Sequence, residues 1–104
     1  MPEYDVSIES TAKSDLHELL RYITDTLKEP ATAARVYNSI KEKIVTLNNM
    51  PRRYPLVNDE VFASRGLRKM PAENYFVFYV VDESHNEVIV LRVLYNRREW
   101  RDLI

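Results

Sequence analysis

The run Tyr75-Phe76-Val77-Phe78-Tyr79-Val80-Val81 constrains this chain more than any other stretch. Every residue in it is apolar or aromatic, so an extended segment here has to bury both of its faces. It belongs in the middle of a sheet. β-Branched and aromatic side chains dominate it, which suits a pleated strand. The run Val88-Ile89-Val90-Leu91-Arg92-Val93-Leu94-Tyr95 has the same character, broken only by Arg92. Between the two, Asp82-Glu83-Ser84-His85-Asn86-Glu87 reads as the turn of a hairpin, although it holds no glycine.

The residues before this hairpin supply the cover. Tyr4-Asp5-Val6-Ser7-Ile8 alternates apolar and polar, as a half-buried strand does. Ser10 or Thr11 is placed to cap a helix. Ala12, Leu16, Leu19, Leu20, Ile23 and Leu27 follow at helical spacing and form one apolar stripe. Pro30 suits the first position of a second helix, whose stripe is Ala33, Val36, Tyr37, Ile40, Ile44 and Leu47. Asn48-Asn49-Met50-Pro51 ends it. Residues 51–62 read as a loop from their prolines and polar cluster. Arg65 to Met70 is expected to be a short strand interrupted by Pro71. The expected fold is α+β in the order β-α-α-β-β-β, a helical hairpin on one face of a mainly antiparallel sheet. A short helical turn should close the chain. All of residues 1–104 are expected to form a single domain.

Several chemistries are excluded early. Gly66 is the sole glycine, so neither a P-loop nor a dinucleotide fingerprint can be built. The chain has no cysteine, and neither His17 nor His85 has a second ligand at metal spacing. No metal and no cofactor are expected. The stretch Met1-Pro2-Glu3-Tyr4-Asp5 lacks a basic leader followed by an apolar segment, and no apolar run reaches membrane-spanning length. A cytoplasmic protein without membrane association is the expectation. The formal net charge of −1 argues against a strongly basic nucleic-acid binder.

Charge is nevertheless uneven. From residue 61 onward every base except Lys69 is an arginine, which favours oriented recognition of an anion. Arg97 and Arg98 leave the last strand together, beside Glu99, Trp100 and Arg101. If Ile89, Leu91, Val93 and Tyr95 face the helices, then Val88, Val90, Arg92 and Leu94 line the open face, and Arg92 joins that exit. The plain alternative is that these arginines form surface ion pairs with Glu83, Glu87, Glu99 or Asp102, each contributing little. Trp100, Leu103 and Ile104 read as residues that close the core.

Taken together, the opening strand, the helical hairpin, Arg65-Gly66-Leu67-Arg68-Lys69, the segment from Asn74 to Glu83 and the close from Leu91 to Trp100 resemble the RelE/ParE superfamily of bacterial toxins. The resemblance covers essentially the whole chain. It implies a toxin of a type II toxin–antitoxin system, of the kind that inhibits growth and stabilises plasmids, with a cognate antitoxin as partner. One branch consists of ribosome-dependent, metal-independent endoribonucleases that cut messenger RNA; the other poisons DNA gyrase without nuclease activity. The ribonuclease reading implies catalytic roles for Arg98 and Lys69, with Tyr95 or Glu99 for proton transfer, and substrate binding by Arg68, Arg92 and Arg97. The expected gathering of these cations around one strand edge favours the ribosome and messenger RNA over gyrase. Two departures stand against it. Phe76 lies where RelE has an arginine, and the chain closes on Leu103-Ile104 where RelE has a tyrosine.

Overall fold

The structure, a computed structural model, describes residues 3–104. Met1 and Pro2, which begin the stretch read above for a leader, lie outside the described residues. The elements are β1 (Asp5–Ile8), α1 (Ser10–Arg21), α2 (Pro30–Val45), α3 (Glu60–Ser64), β2 (Arg68–Ala72), β3 (Tyr75–Asp82) and β4 (Glu87–Tyr95). They build one sheet in the order β1-β4-β3-β2. β1 runs parallel to β4, and the other two pairs are antiparallel. The expected α+β fold and hairpin topology are present, with β3 inside the sheet, as its apolar faces demand.

The helical hairpin packs on one face through the stripes read from the sequence. Ala12, Leu16, Leu19 and Ile23 meet Ala33, Val36, Ile40, Ile44 and Leu47 over Val77, Tyr79, Val88 and Val90. Pro30 occupies the first turn of α2, as expected. The start of α1 differs. Glu9 holds the cap position without a side-chain bond, and Thr11 instead donates its hydroxyl to the Leu91 carbonyl at 3.1 Å. Beyond α1 the helix widens into a π turn, Tyr22–Thr26, and Leu27 is half exposed. After α2, the Arg53 guanidinium donates to the carbonyls of Thr46, Asn49 and Met50, so one side chain ties together the turns that follow the helix.

The stretch 51–62 is not only a loop, because α3 forms within it. Asp59 accepts from the N–H groups of Val61 and Phe62 and starts this helix. Gly66, at φ 83°, ends it. The Leu67 N–H returns to the Phe62 carbonyl and the Gly66 N–H to that of Ala63, a Schellman closure. The strand expected from Arg65 therefore begins only at Arg68, and it includes Pro71. A proline is tolerated there because β2 is an edge strand.

The face assignment of β4 also changes. Phe78 lies opposite Arg92 but Tyr79 opposite Val90, so Leu91 is an extra residue in a bulge. Alternation is correct after the bulge and reversed before it. Val93 faces the helices as expected, whereas Val88 and Val90, expected on the open face, are in the helix-side core. The opposite face is not open. Phe78, Leu94, Leu67, Val57 and Trp100 form a second buried cluster, joined by Phe62, Phe76, Leu103 and Ile104. Trp100 lies 5.3 Å from Phe78 and 5.2 Å from Phe62, ring to ring. The closing residues thus cover the second face of β3, as their apolar character suggested.

Candidate functional site

At one end of the molecule the α1–α2 connection stands away from the sheet and leaves a cavity of about 560 Å³. That volume lies within the usual range for ligand sites. Its walls come from the end of α1 and the π turn (Tyr22, Leu27), from α2 (Arg35), from β3 (Tyr75) and from the exit of β4 (Tyr95, Arg98). Tyr22, Leu27 and Tyr95 are 48%, 50% and 47% exposed, so the rim is apolar and open to solvent. Tyr75 and Tyr95 meet edge to face at 5.8 Å. Burial, reinforced by Tyr95 and Tyr22, raises the Tyr75 hydroxyl above its ordinary pKa.

The floor of the cavity is electrostatically closed. Asp15 accepts from Arg92 Nε and Nη2, each at 2.8 Å, and from the Val93 N–H at 2.9 Å. β1 reaches only to Val90; beyond it, the Asp15 carboxylate takes the place of a strand neighbour. Arg92 Nη1 also donates to the Leu103 carbonyl at 2.7 Å. At the mouth, Arg35 Nη1 donates to Glu73 at 2.9 Å and Ser39 Oγ at 3.0 Å. These two bonds hold the Glu73 carboxyl below its usual range.

The residues singled out by sequence do not meet at one place. Tyr95 and Arg98 line the cavity. Lys69 lies across from Phe78, on the face away from the helices, with its ammonium 4.4 Å from the centre of the Phe76 ring. Arg68, its neighbour, faces the other way, opposite Tyr79, and donates to the carbonyls of Tyr54 and Arg52. Arg92 pairs with Asp15, not with Glu83, Glu87, Glu99 or Asp102. Glu99 accepts from the backbone and guanidinium of Arg101, which lower its pKa. Arg97 forms no ion pair among the described residues, and neither does Arg98. The expected gathering of Lys69, Arg68, Arg92, Arg97 and Arg98 around one edge is therefore absent.

The sequence pattern singles out neither Arg35, Glu73 nor Tyr22, and only Asp15 leaves a trace, as an acid inside the apolar stripe of α1. Among the described residues, no group of three or more His, Cys, Asp and Glu side chains is placed to hold a metal ion. No described helix is long and apolar enough to cross a membrane.

Among curated proteins, no sequence matches the chain significantly. Solved structures do. A chain of the chromosomal ParDE TA system from P. aeruginosa superposes with a TM-score of 0.74 at 18% identity, over 91% of this chain and 98% of that one. A chain of the RelBE2 toxin–antitoxin complex from Mycobacterium tuberculosis gives 0.66 at 25% identity, over 89% and 98%. One from the intact E. coli RelBE complex gives 0.61 at 18%, over 91% and 99%. The family profile described as ParE toxin of type II toxin–antitoxin system, parDE, matches residues 6–100. This match takes in the sheet, the helical hairpin and Trp100, and the chain belongs to the ParE toxin family of type II toxin–antitoxin systems.

Proposed function

We propose that this toxin acts by binding DNA gyrase and not by cleaving messenger RNA, and that a cognate antitoxin neutralises it at the cavity. The separation of the candidate catalytic groups carries this reading. Cleavage by an attacking 2′-hydroxyl needs a proton acceptor, a proton donor and cations within reach of one phosphate. Lys69 and Arg98 are on different sides of the sheet, and Glu99 is a weakened base. A docking surface has no such requirement. Tyr95, Arg97 and Arg98 then act as contact residues. The antitoxin reading is supported by the apolar rim along the helical hairpin, which suits apolar side chains, and by Arg97 and Arg98, which suit acidic ones. The neighbouring structures named above include toxin–antitoxin complexes. The chain acts as one domain in the cytoplasm, where both partners reside.

Induced expression should arrest growth and switch on a DNA-damage reporter, and co-expression of the protein encoded by the adjacent reading frame should restore growth. Unimpaired growth with folded, soluble toxin would remove the toxin reading. Arrest without DNA damage, with messages cut at codon positions, would replace gyrase by the ribosome.

A further inference from the structure

Glu73 combines an unusual backbone with an unusual set of bonds. Ala72 and Tyr75 are paired, so Glu73 and Asn74 form a two-residue hairpin loop. Its first position has φ 56°, a conformation that glycine adopts freely and glutamate does not. The carboxylate nonetheless reaches back to α2, where Arg35 and Ser39 hold it. Arg35 remains 63% exposed in spite of this pair. Both residues stand at the mouth of the cavity, beside the exposed Tyr22 and Leu27 and across from the unpaired Arg98. An exposed ion pair gives little net stability, so an external carboxylate can compete for Arg35. A competitor that also seats apolar side chains on the rim has an advantage over Glu73.

Resting on the antitoxin reading above, we propose that Arg35 is a carboxylate-exchange site: an acidic side chain of the antitoxin displaces Glu73 from Arg35 as adjacent apolar residues fill the cavity. Glu73 is an internal stand-in for the partner. Its displacement frees the β2–β3 turn from α2, so the mouth widens as the partner enters. The strained backbone of Glu73 favours this release. Asp15 is held by Arg92, and although Glu18 shares the wall, Arg35 and Arg98 together outnumber it once Glu73 has left. Charge complementarity therefore favours an acidic, amphipathic segment as the occupant. A segment rich in lysine or arginine would meet Arg35 and Arg98 unfavourably.

The test measures affinity of the wild-type toxin, three single variants and the double variant Arg35→Ala/Glu73→Gln for the purified protein encoded by the adjacent reading frame. Glu73→Gln keeps the shape and removes the competing charge, so binding should tighten roughly two- to fivefold, the size expected for an exposed pair. Glu73→Gly should tighten it similarly while relieving the left-handed backbone, which guards against a folding defect in the first variant. Arg35→Ala should weaken binding about tenfold and abolish the effect of Glu73→Gln, a non-additivity that marks a shared interaction. A wild-type complex whose affinity ignores Glu73→Gln and Arg35→Ala would overturn the exchange while leaving the antitoxin reading intact. Weaker binding by Glu73→Gln would overturn it as well. Absence of any wild-type complex would remove both.

Discussion

Arg92 interrupts an otherwise aliphatic strand, and its guanidinium meets Asp15 through two bonds of 2.8 Å. Asp15 in turn sits within the apolar stripe of α1 and is only 8% exposed. Removing one partner of such a pair leaves a charge without compensation, at a cost of about 3–5 kcal/mol. Asp15→Ala also strands the Val93 N–H, so urea denaturation should show a loss at the upper end of that range. The double replacement Asp15→Leu/Arg92→Met should recover the part due to the unpaired charge, while the part due to the stranded Val93 N–H persists. A loss below about 1 kcal/mol for Asp15→Ala would contradict this role. Each residue is visible in the sequence as a charge out of pattern. Their pairing is not, because it joins positions far apart in the chain across a strand edge that only the tertiary structure creates. Tyr79 is a second case. It reads as an ordinary strand aromatic, yet its hydroxyl donates to the Pro51 carbonyl at 2.6 Å, and burial pushes its pKa to about 12. The folded value lies above the unfolded one of roughly 10. Its contribution is therefore complete below about pH 10 and is lost as pH rises through 12. Denaturation between pH 9 and 11 should show wild-type stability falling more steeply than that of Tyr79→Phe. Parallel curves would contradict the buried hydrogen bond.

Elements with a strong period were legible, and those defined by a single backbone feature were not. The apolar stripes locate α1 and α2, and the continuous β-branched run locates β3, because burial on one face or two leaves a direct compositional record. α3 spans only Glu60–Ser64, too short for a period, and its signals are one capping aspartate and one glycine. The bulge at Leu91 leaves no mark in a run of aliphatic residues, so simple alternation counted back through it reverses the faces of β4 before it. Gly66 offers a test of how such an element ends. A Cβ there would meet nothing within 4 Å, so space is not the obstacle. The left-handed φ of 83° is. Gly66→Ala should destabilise the protein by about 1 kcal/mol or somewhat more, through the backbone alone. Thermal or urea unfolding measures it, and an unchanged midpoint would mean that the α3–β2 turn can relax without loss.

Two cores on opposite faces of one sheet give the molecule its functional asymmetry. The helix side opens at one end into the tyrosine-lined cavity with Arg98, while the other side is sealed by Trp100, Leu103 and Ile104 and carries Lys69 over Phe76. Family membership was legible from the ordered segments of the whole chain. The distribution of its cations was not, because a one-residue step along β2 sends Arg68 and Lys69 to opposite faces. This separation is what turns the reading from catalysis to docking, and a side-by-side assay of both activities examines it. Purified wild-type toxin and Arg98→Ala are added to gyrase supercoiling reactions and to ribosomes translating a defined message, with 5′ ends mapped. Wild type should block supercoiling and leave the message intact, and Arg98→Ala should weaken the block only a few-fold, as loss of one exposed contact does. Codon-positioned cuts by wild type that fall a hundredfold or more in Arg98→Ala, with supercoiling untouched, would show an assembled catalytic site and contradict the proposal.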